Sequence, residues 1–203
     1  FVGSVAWLAS APVKTTVSNI RAFEDGDKVF LQTLYNFAGA GEQVAFDIFR
    51  FDEEGLIAEH WDNLAAKADP NPSGHTQIDG YDKLEDLNKT EENRELVKNF
   101  LHDVMQGKAP EKTPSYFDGD TYIQHNTDGL SGLGAALGAL AEQGIQMIYD
   151  TIHQVLAQGN YVLAVSEGTF GGAPTSYYDL WRVENGKIAE HWDVMETIAE
   201  KNT

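Results

Sequence analysis

A long segment of this chain occurs twice, and this repeat restricts the folds available to the chain more than any other feature. Residues 47–62 read DIFRFDEEGLIAEHWD, and residues 179–193 read DLWRVENGKIAEHWD, with nine of fifteen aligned pairs identical. The offset is 131 residues after the turn and 132 before it, because Glu54 has no counterpart. A period of this length indicates two tandem copies of one domain rather than a solenoid of short repeats.

The first copy is shorter than the second at its N-terminus. Extended backwards, the alignment pairs Phe1 with Gly134, whereas the second copy begins near Thr90, so about 44 residues have no counterpart. We therefore expect three parts: a truncated first unit at 1–68, a linker rich in Pro, Gly and polar residues at 69–85, and a complete second unit at 86–203.

Within the second copy the apolar pattern changes from helical to strand periodicity. Helical spacing predicts a first helix that includes 96–105 and a second at 133–143, with a short extended piece at 122–126 between them. Three extended segments follow, at 147–157, 161–170 and 176–183. The last enters a hairpin through Asn185-Gly186. Helices followed by an antiparallel meander predict an α+β fold, in which helices cover one face of a curved sheet.

Composition limits the partners rather than the fold. Acidic residues outnumber basic ones by 32 to 14, the net charge is −18, and both halves share the excess. Because such a surface repels phosphates and anionic headgroups, we expect no nucleic-acid or membrane partner, and a small or neutral ligand instead. The lack of cysteine excludes disulfides, thiolate nucleophiles and cysteine-ligated metals, so His and carboxylate side chains must carry any chemistry.

The N-terminal stretch gives expectations about location and surface. No run approaches the roughly 18 apolar residues of a membrane span, so we expect a cytoplasmic protein. The chain begins with Phe1 rather than Met, which indicates a cut or processed start and leaves a removed targeting segment open. We expect the truncated first copy to expose apolar surface around Val5, Trp7 and Leu8 unless another part of the protein covers it.

The Asn185-Gly186 turn sets the predicted pairing of the last two strands. Counting outward from this turn, Leu180 pairs with His191 and Tyr178 with Asp193, so these four side chains share one face. The alternate residues are predicted to face the other side, and they are Asp179, Trp181, Glu190 and Trp192. We interpret the two tryptophans as packing residues.

The face with His191 and Asp193 is a candidate for acid/base chemistry. If it lines a cavity, desolvation raises the pKa of the carboxyl toward the range of a general acid or base, and the imidazole orients it or relays its proton. The alternative is a His–Asp hydrogen bond on a solvated face. His125 and Asn126 end an extended segment and are candidates for a cavity wall, although Asn126 alone suits a turn. His125, His191 and Asp193 also form a conceivable metal set, which lacks metal-binding spacing, and we predict no metal.

Three motifs resemble the SnoaL-like polyketide cyclase family of the nuclear transport factor 2-like superfamily. They are YIQHN at 122–126, DLWR at 179–182 and GKIAEHWD at 186–193. More closely, the chain resembles the tandem-domain proteins known as SnoaL-like aldol-condensation enzymes. The resemblance covers about 1–68 and 86–203, and it identifies the family better than the reaction.

This resemblance implies a fold and a set of site residues. The fold is a cone-shaped α+β barrel, in which a bent antiparallel sheet wraps helices around a deep apolar pocket. Such domains often dimerise through their sheets. The cyclases of this family use no cofactor, and an Asp in the closing strand is their acid/base group, at the position of Asp193. His191 and His125 match polar pocket positions. In the first copy only His60 and Asp62 have matches, so we expect a complete site in the second copy alone.

Our leading hypothesis is a cofactor-independent acid/base enzyme, of the aldol cyclase or isomerase type, that acts on a small apolar carbonyl compound. Asp193 would remove a proton next to the carbonyl, His191 would tune or relay it, and His125 with Asn126 would hold the enolate oxygen. The predicted substrate-binding residues are Asn126, Tyr178, Tyr122 and Leu180.

Two other functions remain open at this stage. The first is a binding or assembly module in which the two units pack as an intrachain pseudo-dimer, with a homodimer also open, and the second unit's cone holds a small ligand. The second is an epoxide-hydrolase-like enzyme, which needs an Arg and a second carboxylate near Asp193, whereas Asp179 is predicted to face away. The superfamily hosts all these functions, so the fold does not choose among them.

Overall fold

The computed structural model describes the backbone of residues 2–199, and the side chains of 6–136, 138, 142 and 144–199. The main elements, in chain order, are α1 (Val2–Ser10), β1 (Thr16–Asp25), β2 (Lys28–Asn36), β3 (Glu42–Phe51), β4 (Ile57–Ala66), α2 (Thr90–Phe100), β5 (Ile123–Gln124), α3 (Leu133–Gln143), β6 (Met147–Gln158), β7 (Tyr161–Phe170), β8 (Ala173–Glu184) and β9 (Lys187–Thr197). A π-helical turn at Leu101–Met105 extends α2, and a 3₁₀ helix spans Pro110–Tyr116. The predicted helices, strands and α+β class are confirmed.

The strands form two curved sheets with the same antiparallel order. One is β1-β2-β3-β4, and the other is β5-β9-β8-β7-β6, in which only the short β5 runs parallel to its neighbour. The hairpin between β8 and β9 turns at Asn185 and Gly186, whose φ values of 50° and 72° are those of the tight turn that the Asn-Gly pair favours. The helical elements α2 and 110–116 pack on the inner face of the second sheet, away from the first.

The two sheets pack against each other through an apolar layer. Successive side chains of a strand point to opposite faces, so every second side chain of each sheet points toward the other sheet. The layer contains, from the first sheet, Phe23, Phe30, Val44, Phe46 and Ile48, and from the second sheet, Leu156, Tyr161, Leu163, Val165, Tyr178, Leu180, Trp192 and Val194. A second apolar cluster fills the space between the second sheet and its helices, around Phe100, Phe117 and Trp181.

The segment between the sheets is ordered and lies across both of them. Arg21 of β1 donates hydrogen bonds to the carbonyl oxygens of Ile78, Asp79 and Tyr81. The same guanidinium lies 4.1 Å from the centre of the Trp192 ring, whose Nε1 donates to the carbonyl of Asp79 at 2.9 Å. The predicted linker is therefore a fixed connection, which we call the connecting segment (residues 67–86).

The pairing of β8 with β9 differs from the prediction by one residue. Glu184 pairs with Lys187 and Val183 with Ile188, but the next pair is Arg182 with Glu190, so Ala189 is an extra residue. This β-bulge reverses the faces of everything beyond it. His191 lies opposite Trp181, and Asp193 lies opposite Asp179. The predicted pairings of Leu180 with His191 and of Tyr178 with Asp193 are wrong.

The first hairpin has the same irregularity. Phe51 pairs with Ile57, but Arg50 pairs with Glu59, so Ala58 is the extra residue there. Ala58 and Ala189 occupy equivalent positions in the repeated segment. Beyond the bulge, Asp47 lies opposite Asp62, as Asp179 lies opposite Asp193.

The apolar surface expected near the N-terminus is present in part. The Trp7 side chain is 59% exposed, Leu8 is half-buried, and the side chain of Val5 lies outside the described residues. Among residues 2–199, no helix is both long enough and apolar enough to cross a membrane.

The apolar layer between the sheets predicts a large loss of stability when it is opened. Phe46 is fully buried there and meets the Phe30 ring edge to face, with ring centroids 5.3 Å apart. We expect Phe46→Ala to lower the free energy of unfolding by about 3–5 kcal/mol, because it removes buried apolar contacts and leaves a cavity. The matched control is Leu56→Ala, at a side chain that is 65% exposed, with an expected change below about 0.5 kcal/mol. Urea denaturation of both variants measures the difference, and equal losses would contradict this role of the layer.

Candidate active site

A deep cavity of about 490 Å³ lies between the helices and the inner face of the second sheet. Most of its wall is apolar, and the apolar side chains include Phe100, Phe117, Leu133, Met147, Phe170 and Trp181. Four lining residues come from the end of β4 and the connecting segment, namely Ala65, Ala66, Ala68 and Gln77. The first sheet therefore closes part of a cavity that belongs to the second. A few polar groups in an apolar concave wall are typical of small-molecule sites.

The Asp193 carboxylate lies in the wall of this cavity. Both of its oxygens accept hydrogen bonds from Asn126 Nδ2, at 3.1 and 2.8 Å. Burial raises the pKa of Asp193, the charge of His191 and the Asn126 hydrogen bond lower it, and the charge of Asp179 raises it again, so that the pKa lies above its ordinary value. Asp193 therefore binds a proton more readily than a solvated aspartate does, which suits a group that exchanges protons with a ligand.

His191 is buried beside Asp193 and has partners on both ring nitrogens. Nε2 lies 2.9 Å from Asp179 Oδ1, Nδ1 lies 2.9 Å from Gln124 Oε1, and the ring stacks on Trp181 with centroids 5.2 Å apart. Burial lowers the pKa of His191, but the hydrogen bond with Asp179 and the charges of both carboxylates outweigh it and raise the pKa. These surroundings therefore favour the protonated form of His191 more than water does.

The hydrogen bonds around Gln124 fix which atoms carry hydrogens. Gln124 Oε1 accepts from the backbone N–H of Asn126 at 3.0 Å, so this atom must be the amide oxygen. Because an oxygen of this kind only accepts, His191 Nδ1 carries a hydrogen. Gln124 Nε2 then donates to the Tyr122 hydroxyl oxygen at 3.0 Å. On the other side of the imidazole, the Tyr149 hydroxyl donates to Asp179 Oδ2 at 2.9 Å.

This chain of hydrogen bonds ends at Tyr122, which lines the cavity. Its oxygen accepts from Gln124, and none of the described residues accepts its hydrogen, so the O–H can donate to a ligand. Burial, followed by the charges of Asp193 and Asp179, raises the pKa of Tyr122 well above its ordinary value. The hydroxyl therefore stays neutral and is a hydrogen-bond donor at the cavity wall.

Four of the seven predicted site residues line the cavity, and three do not. Asp193, His191, Asn126 and Tyr122 are lining residues. Tyr178 and Leu180 are buried in the apolar layer between the sheets, because the bulge at Ala189 puts them on the opposite face. The structure therefore does not place these two side chains against the cavity in which they were predicted to contact substrate. The roles assigned to the four lining residues stay predictions.

His125 also lies outside the cavity lining. In the parallel pairing of β5 with β9, Gln124 lies beside His191, so the next residue along the chain turns to the opposite face. There the His125 ring stacks on Trp192 at 4.7 Å, and its Nε2 lies 2.7 Å from Glu190 Oε1. The structure therefore does not place His125 where the predicted contact with an enolate oxygen needs it, and His125, His191 and Asp193 are not brought together.

The sequence reasoning missed four residues of the site: Asp179, Trp181, Gln124 and Tyr149. Asp179 and Trp181 were assigned to the opposite face because the bulge was not foreseen. The repeat could have pointed to Asp179, because the same residue, Asp47, stands at the equivalent position of the other copy. Gln124 would follow from the alternation within 122–126 once Tyr122 and Asn126 were placed on one face.

Carboxylates and imidazoles meet at corresponding positions of both sheets. Ligand atoms of Asp179, His191 and Asp193 lie within 4.8 Å of one another, as do those of Asp47, His60 and Asp62. The first set therefore has the residue types of a metal site, and the two nitrogens of His191 lie against Gln124 Oε1 and Asp179 Oδ1. In the first sheet His60 Nε2 lies 2.8 Å from Asp47 Oδ1, and Asp62 is exposed to solvent.

Comparison with known proteins finds no matching family model and no matching curated protein. Several solved structures are similar to part of the chain. One is described as a ketosteroid isomerase from Kribbella flavida DSM 17836, with 17% identity, a TM-score of 0.44, and coverage of 57% of this chain and 85% of that one.

Two further solved structures have a similar extent of match. A nuclear transport factor 2-like protein from Burkholderia xenovorans LB400 has 20% identity, a TM-score of 0.41, and coverage of 53% of this chain and 92% of that one. An LEH-like epoxide hydrolase from M. tuberculosis has 20% identity, a TM-score of 0.42, and coverage of 53% and 85%. Matches of this extent say nothing about the activity of this chain.

The raised pKa of Asp193 predicts a pH-dependent cost to stability. A carboxyl that binds its proton more tightly in the folded state supports folding at low pH, and this contribution is lost as pH rises through the folded-state pKa. Asp193→Asn removes the ionisation and keeps the size of the side chain. We therefore expect the variant to have a higher Tm than the wild type at mildly alkaline pH, with the difference shrinking in the acid range.

The matched control for this measurement is Asp62→Asn. Asp62 is the counterpart of Asp193 in the repeat but is exposed, so its replacement should leave the Tm unchanged across the same pH series. A lower Tm for Asp193→Asn at alkaline pH would show that burial does not dominate the environment of this carboxyl.

Proposed function

We propose that the protein is a cofactor-independent acid/base enzyme that acts on a small, largely apolar carbonyl compound, as an isomerase or an aldol cyclase. The observation that carries this proposal is a carboxyl group with a raised pKa in the wall of an apolar cavity. Such a group can take a proton from carbon and return it, because its pKa moves toward that of a weak carbon acid.

Asp193 is the proposed base. Asn126 holds both carboxylate oxygens and so fixes the direction from which they reach a substrate proton. When Asp193 takes a proton next to the carbonyl, the electron pair of the C–H bond moves onto the carbonyl oxygen and forms an enolate. In an isomerase Asp193 returns the proton at another carbon. In an aldol cyclase the enolate carbon attacks a second carbonyl, whose oxygen takes up the proton.

Tyr122 is the proposed donor to the enolate oxygen, in the role first assigned to His125. Its hydroxyl lines the cavity and its oxygen is held by Gln124, so the hydrogen is directed before a substrate arrives. A preorganised donor aimed at developing charge is a major source of rate enhancement. His191 would act as a positioning residue, because its Nδ1 holds Gln124 Oε1 and its charge lowers the pKa of Asp193. Asp179 would position His191 in turn, through its contact with Nε2.

The competing functions fit these contacts less well. A pure binding module predicts an exposed, ordinarily ionised Asp193, whereas its pKa is raised mainly by burial. An epoxide-hydrolase-like enzyme gains a second carboxylate from Asp179, contrary to the predicted orientation. It also needs an arginine, and the described cavity wall contains none.

We further propose that the two sheets are tandem copies of one domain, at 1–68 and 86–203, packed as an intrachain pseudo-dimer. The copies share strand order, the bulged alanine of the hairpin, and the facing Asp pair. The first copy would lack counterparts of α2 and β5, so that only the second encloses a site for a small-molecule ligand.

Proton exchange tests the proposed function without knowledge of the natural substrate. A panel of apolar ketones that fit the cavity is incubated with the protein in D₂O, and loss of the α-proton signal is followed by NMR. We expect catalysed exchange with at least one ketone. Asp193→Asn should slow it by about 10²–10⁴-fold, because the base is lost. Tyr122→Phe should slow it by about 10²–10³-fold, because the enolate loses a donor.

Tyr178→Phe is the matched control for the tyrosine variant. Tyr178 lies in the apolar layer outside the cavity, so the rate of exchange should stay at the wild-type value. Binding of naphthol as an enolate mimic gives a second readout, since Asp193→Asn should alter its affinity. Absence of exchange with every ketone, together with naphthol binding that Asp193→Asn leaves unchanged, would overturn the proposed function.

A further inference from the structure

His125 is fully buried on the face of the second sheet that carries Trp192, opposite the cavity. Its ring lies parallel to that of Trp192, and its Nε2 lies 2.7 Å from Glu190 Oε1. Arg182 donates to the other oxygen of Glu190 at 2.7 Å. A carboxylate oxygen accepts hydrogen bonds, so His125 Nε2 carries the hydrogen that lies toward Glu190.

The second nitrogen of His125 faces two oxygen atoms of the connecting segment. Nδ1 lies 2.8 Å from the carbonyl oxygen of Thr76 and 2.8 Å from Asp79 Oδ1. A bare lone pair on Nδ1 would be repelled by both oxygens at this distance. The two oxygens therefore suit either an N–H donor at Nδ1 or a metal cation bound between these atoms.

A second histidine stands at the same point. His75 precedes Asp79 by four residues, its Nδ1 lies 3.6 Å from Asp79 Oδ2, and its ring centroid lies 5.0 Å from that of His125. Its side chain is about one-third exposed, at 32%, so the cluster is open to solvent on one side. One ligand atom from each of His75, Asp79 and His125 lies within 4.8 Å of the other two.

We propose that His75, Asp79 and His125, with the Thr76 carbonyl, form a Zn²⁺ site that joins the connecting segment to the second sheet. Two imidazoles and a carboxylate are ligands that Zn²⁺ binds at about 2.0–2.2 Å, which puts neighbouring donors of a tetrahedral site about 3.3 Å apart. His125 Nδ1 lies 2.8 Å from Asp79 Oδ1 and His75 Nδ1 lies 3.6 Å from Asp79 Oδ2, distances on either side of this value. Glu190 on the far nitrogen of His125 is the outer carboxylate that typically orients a zinc-bound histidine.

The site would be structural and separate from the proposed catalysis. Its ligands lie on the face of β5 and β9 opposite the cavity, and none of the three side chains lines the cavity. The connecting segment also contacts Arg21 of the first sheet, so a cation here would stabilise the joint between the two sheets. Metal bound only by the folded state raises the free energy of unfolding.

Isothermal titration of the untagged protein with Zn²⁺ tests this site. We expect one Zn²⁺ per chain, with Mg²⁺ giving no comparable binding because it prefers oxygen ligands. His75→Ala should lower the affinity by at least about tenfold, and Asp79→Asn should do the same. Titrations in buffers of different ionisation enthalpy should report release of a proton, because Zn²⁺ replaces the hydrogen on Nδ1, and binding should weaken as pH falls.

Two control variants separate this cluster from the other candidate metal sets. His60→Ala alters the cluster of the first sheet and Asp193→Asn alters that of the cavity, and both should keep the wild-type affinity for Zn²⁺. Tm should rise with Zn²⁺ in the wild type and both controls, and should not rise in His75→Ala. Absence of stoichiometric binding to the wild type, or loss of binding in His60→Ala or Asp193→Asn with His75→Ala unaffected, would overturn the proposal.

Discussion

The packing of the two sheets face to face determines which side chains of β9 reach the cavity. Trp192 and Val194 are buried in the layer between the sheets, beside Leu180 of β8. Because strand side chains alternate, burying these residues turns His191 and Asp193 to the inner face. A slip of one residue would exchange the two sets, placing two ionisable groups in the apolar layer and a tryptophan in the cavity. The apolar layer therefore has two effects: it stabilises the fold, and it fixes which side chains of β9 face the cavity.

At the cavity wall, burial is the largest single influence on the pKa values of Asp193 and His191. Desolvation acts on Asp193 and His191 in opposite directions, raising the pKa of the first and opposing protonation of the second. At Asp193 the hydrogen bond from Asn126 offsets part of this effect, and at His191 the hydrogen bond with Asp179 and the charges of both aspartates outweigh it. Gln124 contacts both His191, whose charge acts on Asp193, and the Tyr122 hydroxyl, so one connected network sets the geometry and the proton affinity of the candidate site.

The sequence allowed the helices, strands, hairpin and α+β class to be predicted, because these depend on local spacing of apolar residues and on the Asn-Gly turn. It also identified Asp193, His191, Asn126 and Tyr122 as lining residues of the cavity. Two errors followed from pairing. The bulge at Ala189 moved Tyr178 and Leu180 to the other face, and the parallel register of β5 turned His125 away from the cavity. An alanine does not mark the position of a β-bulge, and a two-residue strand is too short for its pairing register to be predicted from sequence.

The repeat, the period of each element and the types of residue available for chemistry were therefore properties of the sequence alone. Only the tertiary structure decided which face each residue occupies, because one extra residue in a strand reverses all side chains beyond it. It also decided that the connecting segment is fixed rather than free. Its hydrogen bonds run to Arg21 in one sheet and to His125 and Trp192 in the other, and these residues come together only after the sheets have packed.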